Sequence, residues 1–141
     1  IADEKRFIAD LRIVTIHQLE VIPPEAGRPL LKRMSLLRRR DDVSPEEFQR
    51  EWRQEHAHLV KRVAGVRGYR QNLIVGREAP KGHPVEREAW PIDGIVELWF
   101  DDTDSLDRAF ASPKGQTLMA HAREFIAEIT TFLVERHVVV G

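Results

Sequence analysis

Residues 44–63 read Ser-Pro-Glu-Glu-Phe-Gln-Arg-Glu-Trp-Arg-Gln-Glu-His-Ala-His-Leu-Val-Lys-Arg-Val. The opening of this stretch is a helix start. Ser44 can cap, Pro45 suits the first helical position because its missing N–H has no helical acceptor there, and Glu47 completes a capping box. Phe48, Trp52, His56, Leu59, Val60 and Val63 recur at spacings of three and four, which puts them on one buried stripe. Arg50, Arg53, Gln54, Lys61 and Arg62 fall mostly elsewhere. Gly65 supplies a residue that tolerates left-handed geometry beyond the helix end. His56 is the one strongly polar group on the apolar stripe.

Outward from this helix the chain alternates. Residues 32–38 suit a short strand, and Asp41-Asp42-Val43 a turn. Residues 66–75 read as a second strand with Tyr69, Gln71, Leu73 and Val75 on one face. Residues 76–92, with three prolines and two glycines, read as a long loop. Residues 94–100 are a third strand, with Ile95, Glu97 and Trp99 on one face and Val96, Leu98 and Phe100 on the other. A short helix is expected to end near Ala111. A second, restarted at Ser112-Pro113, is expected to run to about Thr131 with Leu118, Ala122, Phe125 and Ile129 as its stripe. Residues 132–140 then close the chain as a β-branched strand. Upstream, residues 3–10 read as a turn or two of helix. Residues 11–22 fit either strand or helix, and Glu25 to Pro29 reads as linker. The expected organisation is an extension over residues 1–30 and one domain over residues 31–141.

The order strand, helix, strand, strand, helix, strand predicts an α+β fold of the ferredoxin-like βαββαβ type: an antiparallel sheet with both helices on one face. Strands apolar on both parities imply that the second face is covered as well. Another copy's sheet is the simplest cover, so a homodimer is expected.

The composition narrows the function classes. The chain has 141 residues with Lys+Arg 22, Asp+Glu 23 and no cysteine. Disulfides, thiolate metal sites and cysteine nucleophiles are therefore excluded. Net charge near zero argues against a general nucleic-acid binder. Residues 32–76 carry 11 basic and 6 acidic groups while residues 77–141 carry 7 and 12. The polarity favours mutual attraction within the fold or across a dimer, or is simply a mixed solvated surface. No apolar run approaches the roughly 18 residues of a membrane span. No basic, apolar and small-residue succession marks a secretory signal, so a cytoplasmic protein is expected.

Residues 32–40, then Ser44-Pro45-Glu46-Glu47-Phe48, Trp52, His56, Leu59, Gly65, Tyr69 and Asp93-Gly94-Ile95-Val96-Glu97-Leu98-Trp99-Phe100 resemble the EthD family, named from bacterial degradation of ethyl tert-butyl ether. The resemblance covers about residues 31–140. It implies a dimeric α/β barrel in which two ferredoxin-like sheets face each other. It also implies a range of activities: lactone isomerases, cyclases, decarboxylases, an accessory protein of ether degradation and, more distantly, cofactor-free monooxygenases or haem binders. The histidine and cysteine discussed for proton transfer in the lactone isomerases cannot both be present here, because cysteine is absent.

The residues offer their own chemistry. A neutral histidine inside a pocket can take a proton near physiological pH. Tyr69 could donate to a developing enolate, and Glu97 could orient the imidazole or act as a second acid/base. Phe48, Trp52, Trp99, His121 and Trp90 are candidate substrate-binding residues, with Trp90 and its loop expected at the pocket mouth. Each has a plainer reading. His56 could be a core histidine bonded to a backbone carbonyl, Phe48 and Trp52 plain core, Glu97 an ion-pair partner for an arginine, and His121 a surface group. Glu135 and His137 alternate towards a pocket, an edge or a dimer contact. His56 and His58 are about 200° apart on a helix and cannot share an ion. No metal or cofactor is expected, since no ligand constellation or phosphate loop is present. The partner expected is a small hydrophobic, enolisable or lactone-type molecule, with a non-catalytic binding protein as the alternative.

Overall fold

The computed structural model describes residues 12–79 and 82–135. Strand β1 spans Ile13–Ile22 and β2 spans Leu31–Arg39. Helix α1 runs as α-helix over Pro45–Arg50, widens to a π-helical segment over Glu51–His56, and returns to α-helix over Ala57–Lys61. Then come β3, Gly68–Ala79, a short β4, His83–Pro84, and a 3-10 turn, Arg87–Ala89. Strand β5 is Gly94–Phe100, α2 Thr103–Ala111, α3 Pro113–Phe125 and β6 Ile126–Val134. The sheet order is β1-β3-β5-β2-β6, with every pairing antiparallel. Without β1, that is the ferredoxin-like order, and the fold is α+β.

The local signals act as their chemistry requires. The Ser44 hydroxyl accepts from the Glu47 amide at 3.1 Å and Pro45 opens α1. Gly65 follows that helix at φ 94°. Asp102 and Ser112 cap α2 and α3 by accepting from Ser105 and Gly115 amides.

One open reading is settled and two expectations are corrected. Residues 13–22 are strand: their β-branched run pairs with β3 rather than continuing a helix. The last helix stops at Phe125, six residues before the expected end at Thr131. Ile126, Ile129, Thr130, Thr131 and Val134 favour a pleated surface, and β2 needs a partner on its second edge. Residues 126–134 fill that edge, pairing Ile129 with Leu37 and Phe132 with Met34. Ile129 still packs against the core, but from a strand. The loop expected over 76–92 is shortened, because β3 reaches Ala79 and residues 83–84 fold back on it. The expected helical turn at 3–10, and His137 with the end of the last expected strand, lie outside the described residues.

The pairings also settle sheet parity. Ser35, Leu37, Tyr69, Gln71, Val96, Leu98 and Phe100 are buried and share the face that meets α1 and α3. Lys32, Met34, Arg70, Asn72, Ile95, Glu97, Trp99 and Phe132 share the other. Val75, expected in line with Tyr69, is the extra residue of a bulge between Thr15 and Ile16 and is exposed.

Trp52 seats α1 on the sheet. Its indole is fully buried, and a Cβ built on Gly94 would lie 2.7 Å from its ring carbons. Glycine is required at the start of β5 because any side chain would displace that ring. Gly94→Ala should therefore destabilise the protein by about 1–3 kcal/mol, the usual cost of overpacking. Urea unfolding at fixed protein concentration measures it, and an unchanged midpoint would contradict this packing.

Candidate functional site

The site begins with the widened turn of α1. In an α-helix, residues five apart are rotated by about 140°, so Glu51 and His56 would point to different sides. The π-helical segment Glu51–His56 makes each turn larger, and both side chains reach one partner, His121 on α3. The ring nitrogens His56 Nδ1 and His121 Nδ1 are 3.1 Å apart, and His121 Nε2 is 3.0 Å from Glu51 Oε2. The imidazoles stack with centroids 5.3 Å apart, and the Phe125 ring meets His56 edge-on at 5.4 Å.

The carboxylate fixes the proton positions in the neutral pair. Glu51 only accepts, so His121 Nε2–H donates to it. His121 Nδ1 is then an acceptor, and His56 Nδ1–H donates to it. That leaves the lone pair of His56 Nε2 without a partner among the described residues. Burial, and then the neighbouring His121, pull the His56 pKa down to about 3. His56 is therefore a neutral imidazole across the physiological range.

His56 borders a cavity between helices and sheet whose free volume is about 30 Å³, room for one water-sized group. Trp52, Tyr69, Leu98, Phe110 and Met119 are among its walls. Tyr69 is fully buried and its hydroxyl accepts from Gln71 Nε2 at 2.7 Å. Burial raises its pKa, only partly opposed by that hydrogen bond and by Arg53, so Tyr69 remains a neutral phenol whose hydrogen is available. Gln71 Nε2 also donates to the Trp52 carbonyl at 2.6 Å, and Gln71 Oε1 has no partner among the described residues.

The candidates divide accordingly. His56, His121, Tyr69 and Trp52 come together. Phe48 packs behind them, 5.5 Å from Trp52 and 5.7 Å from Phe125 between centroids, and serves the core. Glu97 and Trp99 are on the opposite face of the sheet, so neither can touch His56. Glu97 pairs with Lys32 at 3.0 Å and accepts from Asn72 at 3.1 Å. Lys32 and Arg70 stand over Trp99, 5.3 and 5.0 Å from its ring. Trp90 lies in a separate groove beside Leu36, Arg38 and Thr130. Arg77 donates to its carbonyl at 3.0 Å, and Arg87 binds Asp93 at 2.8 Å, which pins the loop away from the cavity. Glu51 escaped sequence reasoning because α-helical spacing puts it off the apolar stripe, and the only signal was a carboxylate five residues before the buried histidine. Among the described residues, no group of three His, Asp or Glu side chains is placed to hold a metal ion.

The EthD domain matches residues 40–129, more than half of the chain. The chain belongs to the EthD family. Among solved structures, an EthD family protein from Bacillus halodurans is 23% identical, covers 77% of this chain and 99% of its own, and has a TM-score of 0.61. A dimeric protein of unknown function and ferredoxin-like fold from Bacteroides fragilis is 17% identical over 76% of this chain and 96% of its own, with TM-score 0.54. SnoaB from Streptomyces nogalater, a cofactor-independent oxygenase, is 12% identical over 81% and 98%, with TM-score 0.51. At these identities the likeness concerns the fold. No curated protein sequence gives a match.

The buried pair in this EthD chain makes stability depend on pH. Unfolded, His56 binds a proton near its ordinary value of 6.5; folded, only near 3. Between these values the unfolded state holds more protons, so stability rises with pH, is complete above about 6.5 and falls as pH drops towards 3. His56→Gln should lose less stability over that window than the wild type. Parallel thermal unfolding curves for the two proteins between pH 7 and 4 would contradict the assignment.

Proposed function

We propose that this EthD-family protein is an enzyme that moves a proton on a small hydrophobic, enolisable or lactone-type metabolite. Isomerisation, cyclisation and decarboxylation are the outcomes open to such a step. The observation that carries this reading is the Glu51–His121–His56 chain, whose last imidazole lines the cavity with its second ring nitrogen unpartnered among the described residues. A lone buried histidine with a pKa near 3 would be a poor base. The chain removes that difficulty. As the substrate C–H proton goes to His56 Nε2, the Nδ1 proton of His56 passes to His121 Nδ1. The positive charge then rests on half-buried His121 beside the Glu51 carboxylate, not on the buried ring. Return of the proton to a second carbon resets both imidazoles, and the Tyr69 hydroxyl supplies a neutral donor for the enolate oxygen.

The cavity as it stands is too small for a ring, and Met119 and Phe110, half-buried on its wall, are side chains whose displacement would enlarge it. The small free volume of the cavity favours a second reading, a non-catalytic protein that binds a metabolite or partner. The two separate on proton exchange. Candidate lactones and cyclic ketones are incubated with enzyme in heavy water, and C–H loss is followed by NMR. Exchange should fall roughly 100-fold to 10,000-fold in His56→Gln, and Glu51→Gln should also be slow while remaining folded. Absence of exchange across the panel, or full exchange in folded His56→Gln, would favour the binding protein.

We also propose that the working form is a cytoplasmic homodimer joined through the second sheet face. In a single chain Phe132 is 47% exposed and Val134 41% exposed. Both lie with Met34, Leu36 and Ile95 around the Lys32–Glu97 pair. Sheet-to-sheet burial on the order of 2,000 Å² would cover them. Light scattering should give twice 16.3 kDa, and Phe132→Asp should shift the mass towards one chain. A wild-type monomer at micromolar concentration would refute the dimer.

A further inference from the structure

The cavity is bordered by a cationic residue that the proton-transfer chain does not use. Arg33 lies on β2, two residues before fully buried Ser35, and both line the cavity with His56. Its guanidinium stands 4.6 Å above the Phe110 ring and donates to Thr131 Oγ1 at 3.2 Å. Among the described residues, seven arginines pair with a carboxylate, but Arg33 has no acidic partner and no acid lines the cavity. Burial lowers its pKa, with no neighbouring charge acting against it. It stays protonated nonetheless, as guanidinium does in proteins.

The neighbouring hydroxyls reinforce this excess of donors. Ser35 Oγ and Thr131 Oγ1 are 2.9 Å apart. Two hydroxyls carry two hydrogens, and their mutual bond uses one. The other has no acceptor among the described residues. Arg33 keeps further N–H groups in a planar fork that matches a carboxylate. A partly buried cation without an acidic partner and a spare hydroxyl hydrogen without an acceptor, among the described residues, make a place for an anion.

We propose that Arg33, with the Ser35 and Thr131 hydroxyls, is a carboxylate-binding subsite of the His56 cavity, so that the substrate is a small carboxylic acid carried as its anion. The clause on the substrate rests on the proton-transfer reading above; the subsite itself does not. The subsite also sorts the reactions. A carboxylate clamped by guanidinium is stabilised in the ground state, and losing it as carbon dioxide would forfeit the pair. The bound carboxylate is therefore retained, and the proton moves on a neighbouring carbon.

The test uses the full chain and two probe pairs, propanoate with propanamide and benzoate with benzamide, followed by the NMR signal of the Arg33 Nε–H. Each carboxylate should shift that signal saturably and bind at least about ten-fold more tightly than its amide. Arg33→Gln, read through a Trp indole signal, should lose the preference, and Arg33→Lys, a point charge without the fork, should keep part of it. A thermal unfolding midpoint for each variant separates lost binding from lost fold, and Arg33→Met, which keeps an unbranched apolar stem of similar length, stands in if Arg33→Gln does not fold. Equal binding of acid and amide, an undiminished preference in folded Arg33→Gln or Arg33→Met, or no saturable binding by about 50 mM would overturn the proposal. His56→Gln should retain carboxylate binding while losing exchange. A wild type that binds carboxylates yet exchanges no C–H would keep the subsite and remove the proton-transfer reading.

Discussion

The carbonyl oxygen of Trp52 accepts a hydrogen bond from the buried side-chain amide of Gln71 on β3 at 2.6 Å. In a regular α-helix that oxygen would take the amide of residue 56. Here it lies in the widened segment Glu51–His56, and the sheet supplies it with a side-chain donor. Gln71 ties the irregular turn to the sheet, and the Trp52 indole against Gly94 sets how close helix and sheet stand. Other features of the site follow from these two contacts. Trp52 blocks one side of the cavity, His56 turns towards α3, and Glu51 comes round to the same histidine.

Electrostatics explains why two imidazoles and one carboxylate are grouped as they are. His56 is buried enough that a full charge on it is costly, whereas His121 is half-buried and already bonded to Glu51. In the proposed proton transfer, a proton accepted at the cavity side of the pair moves its charge outward, towards Glu51. The order of the three groups, from interior to surface, provides that gradient. Glu124, at 4.0 Å and well exposed, adds a second negative group on the outer side.

The sheet separates two chemistries that lie one residue apart in sequence. Tyr69 and Leu98 face the helices, while their neighbours Arg70, Glu97 and Trp99 face away. On the outer face, Lys32, Glu97, Asn72 and Gln18 form a chain of polar contacts of 2.7–3.1 Å beside apolar side chains. Such a network is satisfied within one chain. It leaves the surrounding Met34, Leu36, Ile95 and Phe132 as the apolar part of that face.

Local signals alone determined much of this protein. The cap at Ser44, the stripe from Phe48 to Val63, the βαββαβ order and the family likeness were legible because capping, periodicity and turn chemistry act over a few residues. His56 stood out for the same reason, as a polar group on an apolar stripe. Tertiary structure decided the rest. Strand parity fixes that Glu97 and Trp99 share a face but not which layer covers it, so their separation from His56 came from the pairing of β2, β3 and β5. Residues 126–131 fit a helical stripe, and only the open edge of β2 made them strand. Glu51 and Arg33 were invisible as site residues. One depends on a π-helical turn stabilised by a side chain twenty residues away in sequence, and the other on which face of β2 meets the helices. Both are long-range contacts, and no local pattern encodes which of two sheet faces a helix will cover.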